Sequence, residues 1–148
     1  MIEWAADEVI VGREDLAGHV RDALAAAGLP VVPSHVNPRL VAGGAQVRVD
    51  RLADCHAPVR VDWRADRLLM DAVMERRVDT PAFAHFQVIL QGMLRVMKEI
   101  LASEGFEVRD TTNDFAPFTI EVLGLPQHTS SWTTSSLVND IVLQDPAQ

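Results

Sequence analysis

The chain holds one cysteine, Cys55, and one lysine, Lys98, among its 148 residues. A lone cysteine forms no intrachain disulfide, so nothing implies an oxidising compartment. Nor can it build a structural zinc site of the common kinds, which take two or more thiolates. Base is scarce as well: Lys and Arg total 13 against 21 Asp and Glu, a formal net charge of −8 with a pI near 4.9. Phosphate-backbone binding needs a basic footprint, and nucleic acid is therefore not an expected partner. No window approaches 18 apolar residues, and Met1 to Glu8 carries acid where a signal peptide carries base. A membrane partner is not expected, and a cytoplasmic location is. Also missing are a Walker loop, a dinucleotide fingerprint, a Gly-x-Ser-x-Gly elbow and a His-Glu-x-x-His pair. No cofactor and no metal are expected, and an enzyme reading has no motif behind it.

What is present fits one α+β domain over residues 1–148, with 125–148 a polar tail able to dock on the body; 48% of residues are hydrophobic and 23% charged. Lys98 stands alone against 12 arginines, and Ala, Val and Asp are abundant, a bias of GC-rich bacterial coding sequence. The longest run with a single helical period is Thr80 to Gly105. Thr80 suits an N-cap and Pro81 the first helical position, where a missing N–H costs nothing. Phe86, Leu90, Met93, Met97 and Ile100 recur at spacings of four and three, and Ile89, Leu94, Val96 and Leu101 widen the stripe. At about 100° per residue the apolar arc spans roughly 160°, which suits a helix lying in a groove or across a sheet. Gln87, Gln91, Arg95 and Lys98 form the wet face, and Gly105 supplies the stop.

A second helix is predicted over Glu14–Ala27, with Leu16, Val20, Ala23, Leu24 and Ala27 inward and Gly28-Leu29-Pro30 ending it. Val9 to Val11 reads equally as a short strand or as the entry to that helix. Asp66 to Arg77 predicts a short helix with Leu68, Leu69, Ala72 and Val73 inward. The most informative local pattern is Val47-Arg48-Val49-Asp50, which returns as Val59-Arg60-Val61-Asp62 before Trp63. Both copies alternate with the period of a half-buried strand. An antiparallel hairpin turning near Cys55 would set Arg48 opposite Asp62, Asp50 opposite Arg60, Val49 opposite Val61 and Val47 opposite Trp63. Two further strands are predicted around Phe106–Arg109 and Phe118–Val122. The expected fold is thus an antiparallel sheet of about four to five strands, with the long central helix and the N-terminal helix packed on one face. A βαβ unit built from Val9–Val11, the first helix and Val31-Val32 is the alternative, and it lacks a glycine-rich phosphate loop.

Residues of chemical interest are few. Asp54-Cys55-His56 falls in the first hairpin turn, and His35 in the preceding loop is the nearest further ligand, although their spacing matches no zinc pattern. His85 sits on the shoulder of the long helix near Gly92, as a base in a cleft or as a boundary residue bonded to a carbonyl. His35, Cys55, His56 and His85 are therefore the candidate ligand-binding residues, for a pocket between the long helix and the sheet. The Ser/Thr tract from Thr129 to Ser136 is interrupted by Trp132 and leads to Leu137 and Val138, which makes these three the candidate partner-binding residues. Asp110 to Asp114 lacks the glycine and distal glutamate of a calcium loop. The expectation is a non-enzymatic protein-binding or adaptor module, chaperone-like and acting as a homodimer. Small acidic bacterial chaperones share the order helix, hairpin, helix, hairpin, a likeness of architecture alone. A small enzyme or ligand-binding domain is the rival, and a component of a larger assembly the third reading.

Overall fold

The computed structural model describes residues 2–33, 42–55, 57–75, 81–111 and 118–126. In chain order these form α1 (Asp7–Ala26), β1 (Gly44–Val49), β2 (Val59–Arg64), α2 (Arg67–Glu75), α3 (Pro81–Glu104), β3 (Glu107–Asp110) and β4 (Ile120–Gly124). The strands make one antiparallel sheet in the order β1-β2-β4-β3, so the two hairpins join through their second strands. Long helix α3 and N-terminal helix α1 both contact the sheet, which establishes the α+β class. Four strands are present among the described residues, and no fifth.

The residues Val9 to Val11 belong to α1, which starts at Asp7. Asp7 and Glu8 occupy its first turn, where carboxylates complement the positive end of the helix dipole. The βαβ alternative therefore loses its first strand, and Val31 makes only a single parallel bridge, to Ala45. Both long helices end alike. Gly28 and Gly105 take φ of 92° and 98°, and the following residue bonds back to the carbonyl five positions earlier: Leu29 N–H to Leu24 at 3.2 Å, Phe106 N–H to Leu101 at 3.1 Å. These are Schellman stops, and each glycine provides the left-handed residue they need. Thr80, the expected cap of α3, lies outside the described residues, as do Arg76 and Arg77.

Between helices and sheet lies one core of Leu16, Val20, Leu24, Val47, Val59, Val61, Met97, Leu101, Phe106, Ile120 and Val122, with Ala17 and Ala45 filling the close approaches. Each large side chain fully buried here contributes about 1.5–3 kcal/mol of gross hydrophobic stabilisation, an upper estimate. The α3 stripe is narrower than its periodicity suggests. Leu90, Met97 and Leu101 are buried, Phe86, Ile89, Met93, Leu94 and Ile100 are half-buried, and Val96 is exposed. All three buried residues lie from Leu90 onward, so the first half of α3 extends past the edge of the core.

The β1–β2 hairpin forms from the doubled tetrapeptide, but two residues out of the expected register: Arg48 stands opposite Arg60, Val47 opposite Val61 and Ala45 opposite Trp63. A two-residue shift leaves every side chain on its own face, so hydrophobic patterning cannot distinguish the two registers. Backbone fit can. A methyl at Gly43 would run into the Arg64 carbonyl oxygen and stand 2.8 Å from the Ala65 carbonyl carbon, and one at Gly44 would stand 2.6 Å from the Pro30 carbonyl oxygen. The two glycines are thus tied to the strand end and loop that they meet in this register.

The outer edge of β1 is engaged at Ala45 and Val47 and just beyond its end. Near its start Val32 N–H donates to the Ala45 carbonyl and Ala45 N–H to the Pro30 carbonyl, both at 2.8 Å. Further on, α1 reaches across it: Arg21 donates to the Val47 carbonyl at 3.4 Å, and Arg13 donates to the carbonyls of Asp50 and Leu52. Side chains thereby occupy acceptors that another strand would seek. The opposite edge, β3, is only four residues long and carries Glu107, Arg109 and Asp110. No helix among the described residues is long and apolar enough to cross a membrane.

Candidate functional site

Alternation sends the other half of each strand's side chains to the sheet face opposite the core, and there the four strands align a row of charge. Arg48 of β1 faces Arg60 of β2, Arg60 faces Glu121 of β4, and Glu121 faces Arg109 of β3. Glu121 is fully buried. Its Oε1 accepts from Arg109 Nε at 2.8 Å, while its Oε2 has no hydrogen-bond partner. Two aspartates brace the row diagonally: Arg48–Asp62 at 3.3 Å and Arg60–Asp50 at 3.7 Å. The opposite-charge pairs read from the sequence therefore exist, but between diagonal neighbours, which is how a two-residue shift preserves them.

Neither diagonal pair is as close as a charge-assisted hydrogen bond, about 2.7–2.9 Å. Arg48 donates to Gln46 Oε1 at 2.7 Å, whereas Arg60 Nε and Asp62 Oδ1 are enclosed with no partner. Burial pushes the Asp62 carboxyl above its ordinary 3.8, against the pull of Arg48, of its own backbone hydrogen bond and of Arg64. Beside these residues opens a cavity of about 430 Å³, with Arg48, Asp50, Leu52, Arg60, Asp62 and Thr119 in its wall. Arg51, also in the wall, is turned to Glu14 of α1 at 2.9 Å. Leu52 and Val49 are the apolar residues of the wall, and Leu52 forms a β-bridge with Trp4, which is 67% exposed.

Of the four ligand candidates, the described residues include Cys55, half-buried in the loop after β1, and His85, exposed on α3. They lie on different elements, and His35 and His56 fall outside the described residues. Among the described residues nothing lies within 4 Å of where a Cβ at Gly92 would stand, so none of them forms the close backbone approach expected there beside His85. Among the described residues no group of three His, Cys, Asp or Glu could hold a metal ion. The interface between α3 and the sheet is filled by core side chains. The cavity with charged walls lies over the β1–β2 hairpin instead. Asp110 pairs with Lys98 at 3.1 Å, and Asn113, Asp114, Trp132, Leu137 and Val138 lie outside the described residues.

A second surface sets exposed apolar side chains among charged ones, Arg67, Asp71 and Glu75. Helix α2 has no buried side chain, with Leu68 82% and Met74 80% exposed, so Leu68 does not point inward as its spacing suggests. Asp66 caps this helix, its carboxylate accepting from Leu68 N–H at 3.0 Å. Its contacts are with α3, whose outer half adds the exposed Val88.

Fold and surfaces together define an α+β protein with one sheet face packed by helices and the other charged. Compared with protein-family models, with curated proteins and with solved structures, the chain gives no match.

Proposed function

We propose that the chain is a non-enzymatic, adaptor-type protein-binding module that acts as a homodimer, with α2 and the outer half of α3 forming the contact between copies. What carries this reading is α2 itself: it is rich in Leu, Met and Val yet has no buried side chain. A nine-residue helix is far too short to be stable by itself, and its stability comes from packing. A second copy bringing the same patch would cover Leu68, Met74 and Val88 reciprocally, as a two-fold contact does. Met70 and Met74 suit such a surface, because the unbranched thioether chain adapts to irregular neighbours. Trp132, Leu137 and Val138 are proposed as the contacts for a further protein partner, on the sequence pattern of one large aromatic set in a wet tract.

Sedimentation velocity on the full chain tests the dimer. The expected result is a dimer for the native chain and a monomer for the double variant Leu68→Glu, Met74→Glu, with an unchanged circular dichroism spectrum. Both side chains are so exposed that the substitutions spare the core. A native chain that sediments as a monomer at every concentration would overturn the reading.

A further inference from the structure

The charged cavity asks for an explanation of its own, independent of the dimer. Arg48 and Arg60 stand directly opposite across the ladder, and like charges at such positions are destabilising. Arg60 faces Glu121 on its other side and lies 3.7 Å from Asp50, yet its enclosed Nε has no acceptor. Its side chain is 28% exposed and forms part of the cavity wall. In a chain of net charge −8, three of the four side chains in the cross-sheet row are nonetheless guanidiniums. Two of these, Arg48 and Arg60, stand in the cavity wall, and paired planar donors beside a cavity are an arrangement by which proteins hold oxyanions.

We infer that this cavity is a binding site for an organic monocarboxylate, its carboxylate held by Arg60 with Arg48 and its apolar body resting on Leu52, whose β-bridge partner is the exposed Trp4. The guanidiniums stand 3.3 Å and 3.7 Å from the carboxylates of Asp62 and Asp50, too far for charge-assisted hydrogen bonds, which leaves their donors open to a closer carboxylate. The same two aspartates repel a dianion more strongly than a monoanion, which disfavours phosphate. Leu52 and Val49 beside the charged side chains of the wall call for an amphiphilic ligand rather than a bare ion. A volume of about 430 Å³ falls in the range of small-molecule sites, roughly 300–1,000 Å³. Two sources present this chemistry, a free short-chain acid and the C-terminal carboxylate of a polypeptide.

The test is a proton–nitrogen NMR titration of the full chain, following the Arg60 Nε–H and Trp4 indole N–H signals. The probes are hexanoate, an N-acetylated tripeptide ending in leucine as its free acid, the same peptide as its amide, and inorganic phosphate. The expected result is saturable shifts of both signals with hexanoate or the free-acid peptide, and none with the amide. Tighter binding by one of the two names the source. Arg60→Lys keeps the charge but loses the fork and should weaken binding about tenfold. Arg48→Gln, at a side chain 62% exposed, keeps the fold and should weaken it several-fold. Absence of shifts at Arg60 with either acid, equal response to phosphate, or unchanged binding in Arg48→Gln would each overturn the proposal.

Discussion

Asp62 shows how a single side chain reports on its surroundings. Its folded-state pKa lies above its ordinary 3.8, so it favours folding most when protonated, below that value. That contribution is lost as pH rises through the raised pKa. At neutral pH the buried ion is therefore a burden, offset in part by Arg48. Asp62→Asn cannot ionise, and its stability relative to the native chain should rise as pH climbs from below 3.8 through the raised value. Urea unfolding of both proteins from pH 3 to pH 7, in about half-unit steps, checks this. A difference that stays flat or falls over the window would show that Asp62 is not desolvated as described. Arg48 and Asp62 were legible in the sequence as wet-face residues of a hairpin, and Glu121 only as one polar position in a strand. That Glu121 stands opposite Arg60 was not legible, because adjacency of β2 and β4 is a matter of sheet order, which local periodicity does not encode.

Helix α1 does more for the sheet than pack against it. Its Arg13 holds two carbonyls just beyond β1, and its Arg21 a third within the strand. Hydrogen bonds from charged donors are worth about 1.5–3 kcal/mol, and partial exposure here reduces that. Arg13→Ala should thus lower stability by about 1 kcal/mol and speed amide exchange around Arg51–Ala53, where the chain before α1 is paired with the loop. Hydrogen-exchange mass spectrometry would read the effect, and unchanged exchange there would mean that the arginine is ornamental. Sequence periodicity located α1, α3 and all four strands, because each buries one face. It misplaced Leu68 and Val96 for the same reason: both fit an apolar stripe, but the stripe outruns the core it packs on. Where α1 begins was equally hidden, since Val9 and Val11 are exposed in the helix and leave no inward period to read.

For the molecule as a whole the decisive quantity is a net charge of −8. Two copies brought together through α2 and α3 would repel each other over their full surfaces, while Leu68, Met74 and Val88 at the proposed contact carry no charge. Raising ionic strength from about 0.01 M to about 0.15 M shortens the screening length from roughly 30 Å to roughly 8 Å. The proposed dimer should therefore tighten with salt, and sedimentation at the two ionic strengths measures it. Salt-induced dissociation would mean that the copies meet through ion pairs instead. The carboxylate site should respond in the opposite sense, since screening weakens the attraction of Arg48 for an anion.

The doubled tetrapeptide carries a consequence for how the chain reaches this structure. A hairpin zipped two residues out of step keeps every valine on the core face, with Val49 on Val61 and Val47 on Trp63, and sets opposite charges face to face, so collapse alone does not reject it. What goes with the observed register is the close approach of Gly43 to the backbones of Arg64 and Ala65. Gly43 thereby admits an alignment that the side chains of the ladder cannot choose for themselves, and a residue with a Cβ there would favour the slipped pairing.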